Sequence, residues 1–238
     1  KINDLAEELN KEGMHVIGVA AKKKSVGDTT IFHAEDETNM TFLGIIAFLD
    51  PPKPDAKEAI RGLYDAGVHV KVISGDAPVV VEHVCKLVGM KVGDQSAVTG
   101  SDLENMNDAE LSSVVEKNDI FARLSPMQKK RVVDALRNNG HVVGYMGDGV
   151  NDAPSLHDAD VGISVDNATD VAKASADIIL LEKSLTVILN GIYEGRRIYG
   201  NILKYMKMAL SSNFGNVFSV LIASIFLPFL PMLPLQIL

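Results

Sequence analysis

The C-terminal part of the chain carries no charged side chain, and this feature limits the folds open to it. Lys207 is the last charged residue, and the run 209–238 that follows is rich in apolar residues. About 20 apolar residues suffice for a helix to cross a bilayer. Because Pro228, Pro231 and Pro234 interrupt the run, we predict one span over about 209–227, a proline-rich turn, and the start of a second span. The alternative for such a run is a buried core helix.

Cations flank this run on its N-terminal side, at Arg196, Arg197, Lys204 and Lys207. Loops on the cytoplasmic side of membrane proteins carry an excess of Lys and Arg. We therefore expect an integral membrane protein, with the soluble part of this chain on the cytoplasmic side of the plasma (inner) membrane. The first residue is Lys1 rather than Met, so we expect a segment of a longer protein.

Composition excludes several classes of partner and site. The net charge is −8, and no basic stripe with stacking aromatic residues is present, so we expect no nucleic-acid partner. The single cysteine, Cys85, excludes a disulfide framework and a cysteine zinc site. The histidines lack metal-ligand spacing and are interpreted as structural or surface residues.

Short apolar segments alternate with helical segments through the rest of the chain, which predicts an α/β fold with a parallel sheet flanked by helices on both faces. The predicted strands are 15–21, 41–49, 68–73, 120–122, 141–146, 161–164 and 178–181. The predicted helices are 2–12, 56–66, 79–88, one or two within 102–117, 125–139, 153–157, 168–174 and a long one from 185 that continues into the membrane.

Polar clusters follow three of these strands, where open α/β sheets hold their active sites. Asp50 follows the strand 41–49, the sequence Ser74-Gly75-Asp76 follows the strand 68–73, and the stretch 146–152 (MGDGVND) follows the strand 141–146. A fourth candidate is the pair Lys129 and Lys130 on the helix 125–139. We predict that these groups meet at one edge of the sheet. Taken singly, each has an ordinary interpretation, as a polar turn or as a solvated helix face.

The chemistry of the clusters is that of a phosphoryl site. Carboxylate oxygens of Asp148 and Asp152 suit Mg²⁺, and the Asn151 amide can bond a phosphate. The Ser74 hydroxyl and nearby backbone N–H groups can hold phosphate oxygens at a helix N-terminus. Lys129 adds a positive charge for the phosphoryl group.

These residues resemble the P-type ATPases, cation pumps that pass through an aspartyl-phosphate. The resemblance rests on the sequences 50–54 (DPPKP), 74–76 (SGD), 121–123 (FAR) with Pro126 and Lys129, and 146–154 (MGDGVNDAP). It implies a haloacid-dehalogenase-like fold, with ATP and Mg²⁺ as cofactors. The residues that it places at the phosphate and the metal are Ser74, Gly75, Asp76, Lys129, Asp148, Asn151 and Asp152. It places Asp50 and Lys53 at the hinge and nucleotide side.

The chain departs from the family pattern in one decisive respect. The phosphorylated aspartate of the family lies in an Asp-Lys-Thr-Gly-Thr motif, which this sequence lacks; the stretch 27–30 (GDTT) has no lysine. Ser74 stands where the family usually has Thr, Lys53 where it has Arg, and His15 where relatives often carry Arg. We therefore expect the isolated chain to be inactive.

The membrane segment narrows the resemblance to the magnesium-transporting branch, through the sequences 211–219 (SSNFGNVFS) and 226–234 (FLPFLPMLP). Asn213 and Asn216 lie three apart on one helix face, and polar residues in a span are commonly functional. We expect them to be candidates for contact with the transported divalent cation, Mg²⁺ by resemblance. The alternative is hydrogen bonding and close packing between helices.

The expected organisation has four parts: the tail of a nucleotide-binding domain (1–42), a phosphorylation domain (43–190), a stalk helix (191–208) and a transmembrane segment (209–238). The expected partners are ATP, a transported divalent cation and the lipid bilayer. Two other interpretations stay open. One is a phosphatase of the same fold; the other is a truncated, non-catalytic pump fragment.

Overall fold

The structure is a computed structural model that describes residues 2–23, 33, 37–49, 51–90, 97–182 and 184–227. The predictions for Asp50, for the stretch 27–30 and for the proline-rich turn after 227 lie outside these residues. The chain divides into two compact units, Lys1–Val187 and Ile188–Leu238. The finer four-part division stays a prediction.

Helices and strands alternate along the first unit, as the sequence predicts. In chain order the elements are α1 (Ile2–Lys11), β1 (Met14–Ala21), β2 (Thr41–Leu49), α2 (Ala56–Asp65), β3 (Val72–Ile73), α3 (Pro78–Leu87), β4 (Val98–Thr99), α4 (Gly100–Glu104), α5 (Asp108–Lys117), β5 (Ile120–Ala122), α6 (Pro126–Asn138), β6 (Gly144–Met146), α7 (Ala153–Asp158), β7 (Val161–Val165), α8 (Asp170–Ser175), β8 (Ile178–Leu180) and α9 (Leu185–Phe226). A short 3₁₀ turn, Val150–Asp152, precedes α7.

The first two strands form an antiparallel pair, separate from the parallel strands. Met14 pairs with Leu49 and Ala21 with Thr41, with a bulge between Val19 and Ala20. The prediction that the strand 41–49 belongs to the parallel sheet, with Asp50 at its active edge, is therefore wrong for the strand. The reason is that β1 is its hydrogen-bonded neighbour, and the apolar pattern of a strand carries no information about which partner it has.

Six strands form two parallel sheets of three, in the orders β3-β5-β4 and β6-β7-β8. Val72 pairs with Ile120 and Gly144 with Val161, and all these pairings are parallel. The predicted parallel fold with flanking helices is confirmed, although the strands make two sheets rather than one. Among the strands described, none pairs with the outer edge of β3 or of β6.

Helices cover both faces of β5, because neighbouring side chains of a strand point to opposite faces. Ile120 and Ala122 belong to an apolar cluster with residues of α2 and α3, whereas Phe121 belongs to a second cluster with residues of α5 and α6. The sheet edge therefore lies between two packed layers, and the loops at the C-terminal ends of its strands remain accessible.

The last helix, α9, runs from Leu185 to Phe226, and none of its residues is buried. Within the described ranges it is the one helix that is long and apolar enough to cross a membrane. The start of α9 agrees with the long helix predicted from residue 185, whereas the division of this helix into a stalk and a span stays a prediction. It ends one residue before Leu227, the last residue described.

Candidate active site

The loop after β6 holds the Asp152 carboxylate in a network of three donors. The Lys129 ammonium and the Tyr145 hydroxyl both donate to Oδ1, at 2.8 Å and 2.9 Å. The Gly149 N–H donates to Oδ2 at 3.3 Å. Lys129 comes from the second turn of α6, whose start is fixed by Pro126 and by a capping box between Ser125 and Gln128. The network therefore joins α6, β6 and the 3₁₀ turn.

The network is largely withdrawn from solvent, which strengthens its electrostatics. The side chains of Lys129 and Asp152 are 12% and 14% exposed. Burial alone raises the pKa of Asp152, but Lys129, Tyr145 and Gly149 outweigh burial and hold that pKa below its ordinary value. Burial, followed by the neighbouring Asp152 charge, raises the pKa of Tyr145. At neutral pH, Asp152 is thus an anion held by a protonated phenol and an ammonium.

The backbone of the loop is fixed by its neighbours. The Ser164 hydroxyl donates to the Gly147 carbonyl at 2.9 Å, and the Thr169 N–H donates to the Asp148 carbonyl at 3.0 Å. A Cβ on Gly147 would lie 2.5 Å from the Asp152 Cβ, closer than two such atoms can approach. Glycine at this position is therefore required for the placement of Asp152.

Asp148 differs from Asp152 in its surroundings. Asp148 is exposed, and among the described residues its carboxylate makes no hydrogen bond or ion pair. Asn151 is also exposed, on the 3₁₀ turn. No group of three or more His, Cys, Asp or Glu side chains suited to a metal occurs in the part of the chain described. This donor set fits Mg²⁺, which commonly takes one or two carboxylates and completes its shell with water and phosphate oxygens.

A second polar loop, Ser74 to Asp76, follows β3. The Ser74 hydroxyl donates to Asp76 Oδ2 at 2.8 Å and accepts the Asp76 N–H at 3.1 Å. The loop after β5 lies against it, because the Leu124 N–H donates to the Ser74 carbonyl and the Arg123 N–H to the Asp76 carbonyl. Arg123 has a φ of +53°, a left-handed conformation that is uncommon outside glycine. The same loop leads directly into α6.

The structure brings two of the predicted groups into direct contact, Lys129 and Asp152, and Asp148 lies in the same loop as Asp152. The Ser74–Asp76 loop follows a strand of the other sheet and is hydrogen-bonded to the loop after β5, which leads into α6. The meeting of both loops at one phosphate stays a prediction. Lys130 instead points away from this network, because its ammonium pairs with Asp134 of α6 and with Asp158 at the end of α7.

Three further predicted residues lie elsewhere in the fold. Lys53 is exposed, in the segment between β2 and α2. In the second unit, Asn213 is exposed and Asn216 is half-buried, both on α9.

Sequence reasoning missed Tyr145. In the sequence it belongs to the apolar run 141–145, where a tyrosine is indistinguishable from a packing residue. The one available signal was that a buried Tyr hydroxyl usually finds a hydrogen-bond partner, and the polar loop that supplies one follows directly.

Comparisons with known proteins show the family to which the chain belongs. A family model described as haloacid dehalogenase-like hydrolase matches residues 4–160. "Magnesium-transporting ATPase, P-type 1" of Salmonella typhimurium strain LT2 is 54% identical over 233 residues, which cover 98% of this chain and 25% of that protein. The protein of the same name from Escherichia coli K12 is 51% identical over 238 residues. The "Calcium-transporting ATPase" of Bacillus subtilis is 36% identical over 231 residues.

The chain spans about a quarter of the length of these curated relatives, 25% in the first and 26% in the other two. The similarity to the magnesium-transporting proteins covers nearly all of this chain, including α9. The fold, the site at the strand ends and the matching family model lead to one assignment. The chain belongs to the haloacid dehalogenase-like hydrolase family, and it corresponds to one stretch of the magnesium-transporting P-type ATPases.

Proposed function

We propose that this chain is part of an ATP-driven Mg²⁺ transporter that passes through an aspartyl-phosphate, and that it supplies the metal- and phosphate-binding part of the phosphorylation site. The observation that carries the proposal is the nearly buried Lys129–Asp152 pair, with the exposed Asp148 in the same loop as Asp152, at the C-terminal edge of a parallel sheet. Phosphoryl transfer depends on positioning and on charge neutralisation, and this edge offers both.

Each residue has a distinct role in the proposal. Asp148 would hold Mg²⁺, with Asp152 close by; when bound, the metal neutralises charge on the phosphate oxygens. Asp152 orients the Lys129 ammonium, which faces the phosphoryl group. The residues that border the phosphate are Ser74, Gly75, Asp76 and Asn151. Asp50 and Lys53 line the hinge and the nucleotide side.

The nucleophile comes from an upstream segment of the longer protein. Its aspartate oxygen bonds to the γ-phosphorus of ATP while the bond from that phosphorus to the bridging oxygen breaks, and ADP leaves. The outer edges of β3 and β6, which have no strand partner among the residues that the structure describes, support this proposal. Ile73 of β3 and Val143, just before β6, pack against one apolar cluster, so both edges border the same region. A strand that carries the nucleophile and pairs with β3 and β6 would join the two sheets into one.

The transport part of the proposal rests on α9 and on the relatives. The chain is 50–54% identical to several magnesium-transporting proteins and 36% identical to the calcium-transporting one, which favours Mg²⁺ as cargo. Asn213 and Asn216 are the proposed contacts for the cation within the bilayer. The cations before the span favour an orientation with the first unit on the cytoplasmic side, and the proposed location is the plasma (inner) membrane.

The proposal is tested in the full-length protein. Asp148→Asn should abolish Mg²⁺-dependent label from γ-labelled ATP, measured after acid quenching, because a neutral amide no longer holds the metal beside the phosphate. Normal phosphoenzyme levels in this variant would refute the assigned role.

Uptake of a panel of divalent cations by the full-length protein tests which ion is transported, and equal rates for all of them would refute Mg²⁺ selectivity.

A phosphatase of the same fold is the rival enzyme class. It predicts hydrolysis of p-nitrophenyl phosphate without any dependence on a transported ion.

The second alternative is a non-catalytic fragment, which predicts that the full-length protein forms no phosphoenzyme. An upstream reading frame with an Asp-Lys-Thr-Gly-Thr motif decides between that alternative and the pump.

A further inference from the structure

Asp55 occupies the position where a residue normally caps α2, yet its carboxylate does not cap that helix. The residue directly precedes Ala56, the first residue of α2, and makes no side-chain cap hydrogen bond to it. Instead, its Oδ2 accepts the hydroxyl of Ser184 at 2.5 Å, from a residue 129 positions away. The Asp55 carboxylate therefore contacts the start of α9 instead of capping α2.

The Ser184 hydroxyl caps α9 and at the same time donates a hydrogen bond to Asp55. Ser184 directly precedes the helix, and its hydroxyl oxygen accepts the Thr186 N–H at 3.2 Å, which is the usual N-cap contact. The single hydroxyl proton of Ser184 goes to the carboxylate, because a carboxylate only accepts. The Thr186 hydroxyl, 2.5 Å away, is then the donor to Ser184.

Apolar contacts reinforce this polar joint. Leu185, the first residue of α9, packs against the cluster that contains Ala56 and Ile60 of α2. The Ser184 hydroxyl lowers the pKa of Asp55 most, burial opposes it, and the backbone N–H groups of Asp55 and Leu185 lower that pKa further, so it lies below its ordinary value. The first turns of α2 and α9 are thus fixed to each other by both polar and apolar contacts.

The Asp55–Ser184 contact links α2, and through it the segment 51–55, to the start of α9. The segment 51–55 between β2 and α2 contains Pro51, Pro52 and Pro54, so it is a stiff connection from the antiparallel ribbon to α2. α9 is one uninterrupted helix to Phe226. A movement of α2 therefore moves the first turn of α9 with it, provided that the joint stays closed.

We propose that Asp55 and Ser184 form a coupling joint, the residue pair that makes α9 follow the phosphorylation domain during the pump cycle. Both are positioning residues, since neither lies at the phosphate edge. This inference rests on the proposed function. It predicts that breaking the joint separates phosphorylation, which stays intact, from ion movement, which is lost.

The experiment uses Asp55→Ala and Ser184→Ala in the full-length protein, with Asp65→Ala as a matched control. Asp65 lies at the other end of α2, and its side chain is 71% exposed. The number of ions transported per phosphoenzyme turnover should fall about fivefold or more in both joint variants, the usual lower range of an allosteric coupling, with phosphoenzyme levels unchanged. Asp65→Ala should leave both quantities unchanged. Ser184→Thr, which keeps the hydroxyl, should restore coupling.

Amide exchange at residues 185–187 provides a second readout that does not depend on activity. Exchange should be about fivefold faster in Asp55→Ala than in Asp65→Ala, because the Leu185 N–H and the Ser184 hydroxyl lose their carboxylate acceptor, and losing such a contact at a helix N-terminus costs about 1 kcal/mol. Unchanged exchange would refute the joint itself. Faster exchange with normal transport per turnover, or an equal loss of phosphoenzyme and transport, would refute its role in coupling. A wild-type protein that forms no phosphoenzyme would instead refute the proposed function.

Discussion

At the scale of single residues, the site depends on one glycine that keeps Asp152 in place. In Gly147→Ala the new methyl group would meet the Asp152 Cβ at 2.5 Å, whereas in Gly149→Ala the nearest atom, Asp152 Oδ2, is at an ordinary 3.5 Å. We expect Gly147→Ala to lower the rate of phosphoenzyme formation about a hundredfold, because displacing a positioned catalytic group by about 1 Å has that effect. Gly149→Ala is the control. Acid-quenched labelling of the full-length protein measures both, and equal rates would contradict the close packing.

The Lys129–Asp152 pair should also matter for stability. Asp152→Ala leaves a nearly buried ammonium without its partner, and we expect a loss of about 3 kcal/mol in the free energy of unfolding. The double variant Lys129→Ala/Asp152→Ala should lose clearly less than the sum of the two single variants, because neither charge is then stranded. Denaturant unfolding of all four proteins gives the coupling energy. Additive losses would show that the two charges do not interact.

At the scale of elements, α7 crosses β7 at a position where no side chain fits. A Cβ on Gly162 would lie 2.4 Å from the Leu156 carbonyl oxygen, a backbone atom that cannot move aside alone. We expect Gly162→Ala to destabilise the first unit by about 2 kcal/mol, as overpacking does. Gly144→Ala in the adjacent strand is the control, since its nearest contact would be an ordinary 3.8 Å. Thermal unfolding compares them, and similar melting temperatures would contradict the tight crossing.

The contact between α5 and the end of α6 predicts a pH dependence. Glu116 accepts hydrogen bonds from Asn139 at 2.6 Å and from His141 at 2.7 Å, and in that order they lower its pKa from the ordinary value of 4.5. A lowered pKa contributes stability that is present above 4.5 and is lost as the pH falls through the folded-state pKa.

Glu116→Gln should therefore be less stable than the wild type above pH 4.5, and the difference should shrink as the pH falls below it. Unfolding free energies across a pH series measure this, with Glu104→Gln, an exposed carboxylate at the end of α4, as the control. A difference that is constant with pH would mean that the carboxylate of Glu116 does not titrate differently on folding.

The elements also show where sequence reasoning succeeds and where it stops. The helices were placed within a few residues, because apolar spacing and caps such as Ser125 are local signals. The strand predicted over 68–73 is paired only at Val72 and Ile73, since an apolar run reports burial and not a hydrogen-bonded neighbour. For the same reason, the antiparallel pairing of β2 with β1 could not be predicted from the apolar pattern.

The candidate site was predictable to the same degree. The motif 146–152 and Lys129 were recognised from residue type, and the structure brings Lys129 and Asp152 into contact. The contact of Asp55 with Ser184 and that of Lys130 with Asp158 were not predictable, because the packing of elements distant in sequence determines both. Long-range pairs leave no periodic trace in one sequence.

At the scale of the whole molecule, the two three-stranded sheets fit the proposal that this chain shares a phosphorylation site with an upstream segment. β3 and β6 each end at a site loop, and among the described strands neither has a partner on its outer edge. The sequence also has no Asp-Lys-Thr-Gly-Thr motif to receive the phosphoryl group. If the proposed function holds, the isolated chain has phosphate ligands but no aspartate that accepts the phosphoryl group.

We expect the isolated chain to form no acid-stable, hydroxylamine-sensitive label when it is incubated with γ-labelled ATP and Mg²⁺. Co-expression with the separate upstream part of the protein should restore the label, because the added strand supplies the aspartate and joins the two sheets. The same co-expression with Asp148→Asn in this chain is the control and should give none. Label on the isolated chain would mean that one of its own carboxylates is the acceptor. Equal label for the wild-type chain and for Asp148→Asn in the co-expression experiment would mean that other residues hold the metal.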